Sequence, residues 1–166
     1  MRDAYFLGLT YLAISLNGFW APVVFQVFKD SILFGEAYAV VWMNGLFGIQ
    51  AETDGTRLFS ESGMRLQLIG ACSVYEGLSL ALLGYASLKA FMRKVVSASD
   101  FGVIALLVFA LFFLNSLRLG LMTLDYASYE YWHHDEGTVY FGMAQLLVVV
   151  SVSLFFTARP RLKWQK

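Results

Sequence analysis

One thiol, one guanidinium inside an apolar run and two adjacent imidazoles are the side chains in this sequence whose types and settings suit acyl-transfer chemistry. Cys72 stands in Ile69-Gly-Ala-Cys-Ser-Val-Tyr-Glu-Gly77, where strand-like sequence gives way to an apolar stretch. Ser73 and Glu76 have capping-box spacing, which starts a helix at Ser73 and leaves Cys72 just before its first turn. Unpaired amides and the positive dipole end at such a place favour a thiolate. A single cysteine forms no intramolecular disulfide, and it also serves as a small apolar packing residue, so Cys72 alone leaves both roles open.

Arg118 lies in Asn115-Ser-Leu-Arg-Leu-Gly120, one helical turn from Asn115 and therefore on the same face. An arginine at the bilayer centre costs about 2.5 to 3.5 kcal/mol on insertion scales, so it normally has a partner or a task. Arg118 is near enough to the end of its run to snorkel, whereas Asn115 sits deeper and cannot. His133 and His134 occur in Tyr129-Glu-Tyr-Trp-His-His-Asp-Glu-Gly137, beside an aromatic belt of Tyr126, Tyr129, Tyr131 and Trp132. Such a histidine is a general base, a metal ligand or an interfacial polar residue. Adjacent residues rarely point at one ion, and no His-x-x-x-His spacing is present, so a metal set in the His-His-Asp-Glu run is the less favoured reading. A thiol nucleophile, a histidine to take its proton and a cation to steady an oxyanion make a complete acyl-transfer set.

These residues work together only if the surrounding elements place them on one side of a membrane. The 166 residues are 58% hydrophobic and 17% aromatic but only 14% charged, too few charges to solvate the outside of a globular domain. The expectation is an all-α integral membrane protein in one domain, with lipid as its main solvent. Basic and acidic residues both number 12, so no cationic surplus points to nucleic acid. A crossing helix needs about 20 mainly apolar residues. The sequence offers four spans, at 4–21, 74–92, 101–124 and 138–158, the first stopped by Pro22. The first is read as a retained helix, since Met1-Arg2-Asp3 lacks a basic surplus and no small-x-small cleavage site follows. Residues 23–48 are apolar but carry Lys29, Asp30 and Glu36, and are read as an outward interfacial or re-entrant helix in preference to a fifth span. Residues 49–71 read as a small extracytoplasmic hairpin, from the turn signals Asp54-Gly55 and Ser62-Gly63 and the alternation of Met64 to Leu68.

Basic residues in short loops set orientation. Arg93 and Lys94 between the second and third spans, and Arg159, Arg161, Lys163 and Lys166 after the last, mark the cytoplasmic side. Cys72, Arg118 and both histidines then fall on the outer side.

In order, spacing and placement the chain resembles the exosortase/archaeosortase family: Ala71-Cys72-Ser73 before a membrane helix, Asn115 with Arg118 near the end of the next, and His133 with Gly137 before another. Pro22, the helix closing at Leu46-Phe-Gly48 and the hairpin extend the likeness over roughly residues 20 to 157. The chain is short for that family, has Val74 where members usually have glycine, and doubles the histidine. The resemblance implies a cysteine protease-transpeptidase in a prokaryotic cytoplasmic membrane, with its site facing outward and no cofactor. Its substrate would be a membrane-anchored protein whose C-terminal sorting signal is a short motif, a transmembrane helix and a basic cluster. Cys72 would be nucleophile, Arg118 the oxyanion or carbonyl group's partner and His133 the base, with His134 as the alternative base or its support and Asn115, Ser73 and Glu76 as supporting residues. From the residues alone, two other classes stay open. One is a non-catalytic scaffold or accessory subunit in which Arg118 pairs with Glu76 or a partner's acid. The other is a metal-dependent membrane hydrolase using the His-His-Asp-Glu run.

Overall fold

The structure of the protein is a computed structural model. It describes residues 2–158, the side chains of Arg2, Asp3, Leu16, Ala71 and Glu76 excepted, so the basic cluster at Arg159, Arg161, Lys163 and Lys166 lies outside the described residues. Helix α1 (Arg2–Ser15) passes through a π-helical turn (Leu16–Trp20) into α2 (Ala21–Leu46). Three short strands follow, β1 (Ala51–Thr53), β2 (Arg57–Ser60) and β3 (Arg65–Gln67). A 3₁₀ turn (Gly70–Cys72) then leads into α3 (Val74–Phe91), α4 (Ala98–Met122), α5 (Tyr126–His133) and α6 (Glu136–Ala158). Ala4–Leu46, Ala98–Met122 and Glu136–Ala158 are long and apolar enough to cross a membrane, and Gly77–Phe91 is a shorter apolar helix.

Pro22 does not end the first helix. It sits in the first turn of α2, directly after the π turn, where the wider winding accommodates the missing N–H and the ring that would otherwise strike the preceding turn. The joined helix of 43 residues is therefore much longer than one crossing needs, about 65 Å at about 1.5 Å per residue. Along its first part it follows α3, where Asn17 donates to Ser79 Oγ (2.9 Å). Further on, the Phe25 ring rests on Tyr75 (5.4 Å), Glu36 reaches Ser73 and Asn44 donates to Thr123 Oγ1 (3.0 Å). From Phe25 onward α2 thus tracks across the ends of α3 and α4 rather than along their flanks. Gly120 permits that crossing, because a Cβ there would stand 2.5 Å from Asn44 Oδ1.

The expected hairpin gains a third strand. β1–β2 and β2–β3 both pair antiparallel, with Glu52 opposite Phe59 and Leu58 opposite Leu66. Gly55 (φ 118°) and Gly63 (φ 81°) make the two turns in the left-handed region that glycine tolerates. Leu58, Leu66 and Leu68 point inward and pack with Leu33, Ala37 and Val40 of α2, Leu119 and Met122 of α4, and Cys72. The sheet is held by this shared apolar cluster, which seats the turn carrying the thiol.

At the opposite end of α3 and α4, Asp100 accepts from Tyr85 Oη (2.5 Å) and from Lys89 Nζ (2.8 and 2.7 Å). The Ser97 amide adds a bond to its Oδ2 (2.6 Å). Both partners of this ion pair are buried, so each neutralises a charge that would be costly alone; breaking such a pair costs about 3 to 5 kcal/mol. The same end holds Arg93 and Lys94, and Lys94 Nζ donates to the Thr157 carbonyl of α6.

Candidate active site

Cys72 closes the 3₁₀ turn and is almost wholly buried. Its carbonyl accepts from Asn115 Nδ2 (2.8 Å), a bond that ties α4 to the end of the 3₁₀ turn. Ser73 is the N-cap of α3, and its Oγ accepts from the Tyr75 amide (3.2 Å). The same hydroxyl donates to Glu36 Oε1 (2.7 Å), which also accepts from the Val74 amide (3.1 Å). The first amides of α3 therefore have protein partners, and the expectation that they stand free for a thiolate is not met. Ser73 caps as expected, with Glu36 of α2 occupying the first-turn amide; the side chain of Glu76 lies outside the described residues.

The cation at this end of the bundle is Arg118, which lies within electrostatic reach of Cys72. Its position follows from α5. That helix starts at Asp125, whose Oδ1 accepts from the Ser128 amide (2.7 Å), and ends after two turns with exposed carbonyls. Trp132 O accepts from Arg118 Nε (3.0 Å) and from Thr138 Oγ1 (3.2 Å), which locks α5 to α4 and α6. The guanidinium lies 4.7 Å above the Phe141 ring. Nε is thus occupied, while the Nη groups have no acceptor among the described residues.

His133 is the last residue of α5 and is half-buried, whereas His134 is exposed. The His133 ring stacks on Tyr129 (5.0 Å between centroids, 17°) and its Nδ1 lies 2.9 Å from His134 Nε2. Burial first, then the charges of His134 and Arg118, hold the His133 pKa below the ordinary histidine value. Gly137 explains the four-residue spacing. A Cβ there would meet Tyr131 O at 2.6 Å, so only glycine lets α6 begin against the last turn of α5. Arg118 acts electrostatically on both Cys72 and His133, and all three lie at the end of the bundle away from Lys89 and Lys94.

The family model described as transmembrane exosortase matches residues 3–150. The chain belongs to the transmembrane exosortase family. No curated protein and no solved structure matches it. This family member is a multi-pass membrane protein whose apolar helices expose aromatic and aliphatic side chains on their outer faces, as lipid requires. Among its described residues no three His, Cys, Asp or Glu side chains gather as metal ligands would, and Asp135 and Glu136 point outward.

Glu36 is the residue at this site that sequence reasoning missed. It was visible as a charge in an apolar segment, yet its place in the repeat is the telling feature. Leu33, Glu36, Ala37, Val40, Met43 and Asn44 form one buried helical stripe, while Lys29 and Asp30 fall outside it.

Proposed function

We propose that this exosortase is a cysteine peptidase-transpeptidase that cleaves C-terminal sorting signals of exported proteins at the outer face of a prokaryotic cytoplasmic membrane. Family membership supports the class of reaction. The observation that carries the assignment of residues is the last part of α4, where Asn115 holds the Cys72 carbonyl and Arg118 Nε bonds the Trp132 carbonyl next to His133. In this mechanism His133 takes the thiol proton as Cys72 Sγ bonds to the scissile carbonyl carbon. The carbonyl oxygen, now an oxyanion, lies against the Nη groups of Arg118. The intermediate collapses with loss of the C–N bond, and His133 returns the proton to the departing amine. The thioester then passes to an amine, a hydroxyl or water, with release of the thiol.

Co-expression with exported proteins that carry a short motif, a membrane helix and a basic tail tests the activity. The expected result is a substrate shortened at its C-terminus; full-length substrate throughout the panel, with the enzyme present in the membrane, counts against it.

Orientation has its own test. In a Cys72→Ser background, Asp135→Cys is expected to react with a membrane-impermeant thiol reagent in intact cells, and Arg93→Cys only after permeabilisation, because basic loops stay cytoplasmic. Labelling of both positions in intact cells ends the proposed topology.

A further inference from the structure

Glu36 is a carboxylate only 2% exposed, a placement that carries a large desolvation cost unless its oxygens are engaged. Oε1 accepts two hydrogen bonds, from Ser73 Oγ and from the Val74 amide, and Oε2 has no partner among the described residues. Both partners directly follow Cys72, and no other acidic side chain of the described residues reaches this turn. Asn115 of α4 holds the Cys72 carbonyl, one peptide unit earlier. The two successive peptide units that follow the nucleophile, Cys72–Ser73 and Ser73–Val74, are therefore gripped from α4 and from α2.

We propose that Glu36 is a positioning residue for Cys72, acting through Ser73 and the Val74 amide to hold the turn that aims the thiol at the substrate carbonyl. The proposal rests on Cys72 being the nucleophile. Oε1 fixes Ser73 in the extended conformation of an N-cap (φ −76°, ψ 144°). Without that acceptor the Ser73 hydroxyl and the Val74 amide compete for other partners, and the turn Gly70–Cys72 loses its anchor on α2. The element that supplies Glu36 also supplies Leu33, Ala37 and Val40 to the cluster around Cys72, so α2 positions the thiol by packing and by hydrogen bonding at once.

Glu36→Gln and Glu36→Ala separate this role from a charge effect. The glutamine Oε1 accepts the same two bonds, so Glu36→Gln is expected to retain the larger part of the turnover. Glu36→Ala removes the acceptor and is expected to lower kcat on the order of 10²-fold, the scale of a misplaced reacting group, with little change in KM. Alkylation of Cys72, the only thiol, gives a readout that needs no substrate. The buried thiol is expected to react faster with a small permeant reagent in Glu36→Ala than in the unaltered protein, and at the unaltered rate in Glu36→Gln. Ser73→Ala, which cuts the same link from the other side, is expected to match Glu36→Ala and serves if that variant does not accumulate. Equal loss in Glu36→Gln and Glu36→Ala overturns the proposal, as does unaltered labelling and turnover in Glu36→Ala or Ser73→Ala. If processing proves indifferent to Cys72 the proposed function fails, whereas the labelling rates still report whether Glu36 holds the turn.

Discussion

Cys72→Ser is expected to leave a co-expressed substrate at full length while the protein accumulates in the membrane as before. The two halves of this outcome have separate causes. The side chain sits among Leu68, Leu119 and Met122, and exchanging one atom of a small buried residue alters little of that packing. The chemistry is far more sensitive. A serine hydroxyl is a weak nucleophile at its free pKa, and the proposed mechanism offers it a single base, His133 at the end of α5. Loss of the nucleophile from an acyl-transfer triad lowers kcat by about 10⁶-fold, which a cell-based assay reads as no product. Immunoblots of the substrate in cells making the native and Cys72→Ser proteins decide the matter. Undiminished cleavage by Cys72→Ser sinks cysteine catalysis and favours the scaffold, in which Cys72 only fills space in the apolar cluster.

The parts of the fold that follow from local rules were legible in the sequence. Uninterrupted apolar runs located α3, α4 and α6 within a few residues, since a helix in lipid satisfies its backbone internally and needs only length and hydropathy. Glycines at 55 and 63 marked both turns of the sheet, and alternation marked Leu66 and Leu68 as its inner face. Pro22 misled because its usual helix-ending effect is cancelled by the π turn before it, and nothing in single-residue propensity announces that winding. Helix α5 was missed although Asp125 is a good N-cap, because its eight residues are polar and aromatic with no apolar period.

For the candidate site, residue types and their common side of the bundle could be read, but the contacts that arrange them could not. Asn115 reaches Cys72 across 43 positions of sequence, and Glu36 reaches Ser73 across 37. Such bonds depend on how α2 and α4 cross, and that crossing depends on Gly120 yielding space to Asn44. Spacing alone also assigned the thiolate's stabilisation to the α3 amides, which tertiary structure gives to Ser73 and Glu36. In the proposed mechanism that task passes to Arg118, whose Nε donates to the Trp132 carbonyl in α5.

The second large effect concerns the two histidines. His133→Ala is expected to abolish processing and His134→Ala to leave most of it, with both proteins inserting normally. His133 is the half-buried member, ordered by its stacking on Tyr129 and placed by the close approach of Gly137 to Tyr131. His134 is exposed and meets the reacting groups only through its neighbour's ring nitrogen. General-base assistance contributes typically about 10²- to 10⁴-fold, so the separation between the variants is wide. The pH dependence follows from the same surroundings. A base must be neutral to take the thiol proton, and burial, His134 and Arg118 all disfavour the charged form of His133. Activity is therefore expected to persist below the ordinary histidine value and to fall only as pH drops through the depressed pKa. His134→Ala removes one neighbouring positive charge, so its acid limb should shift upward towards the ordinary value while the plateau stays close to native. Rates of product formation against pH for the native and His134→Ala proteins test both statements. A dead His134→Ala with an active His133→Ala would transfer the base to His134 and keep the acyl-transfer function, whereas two fully active variants would remove histidine from the mechanism.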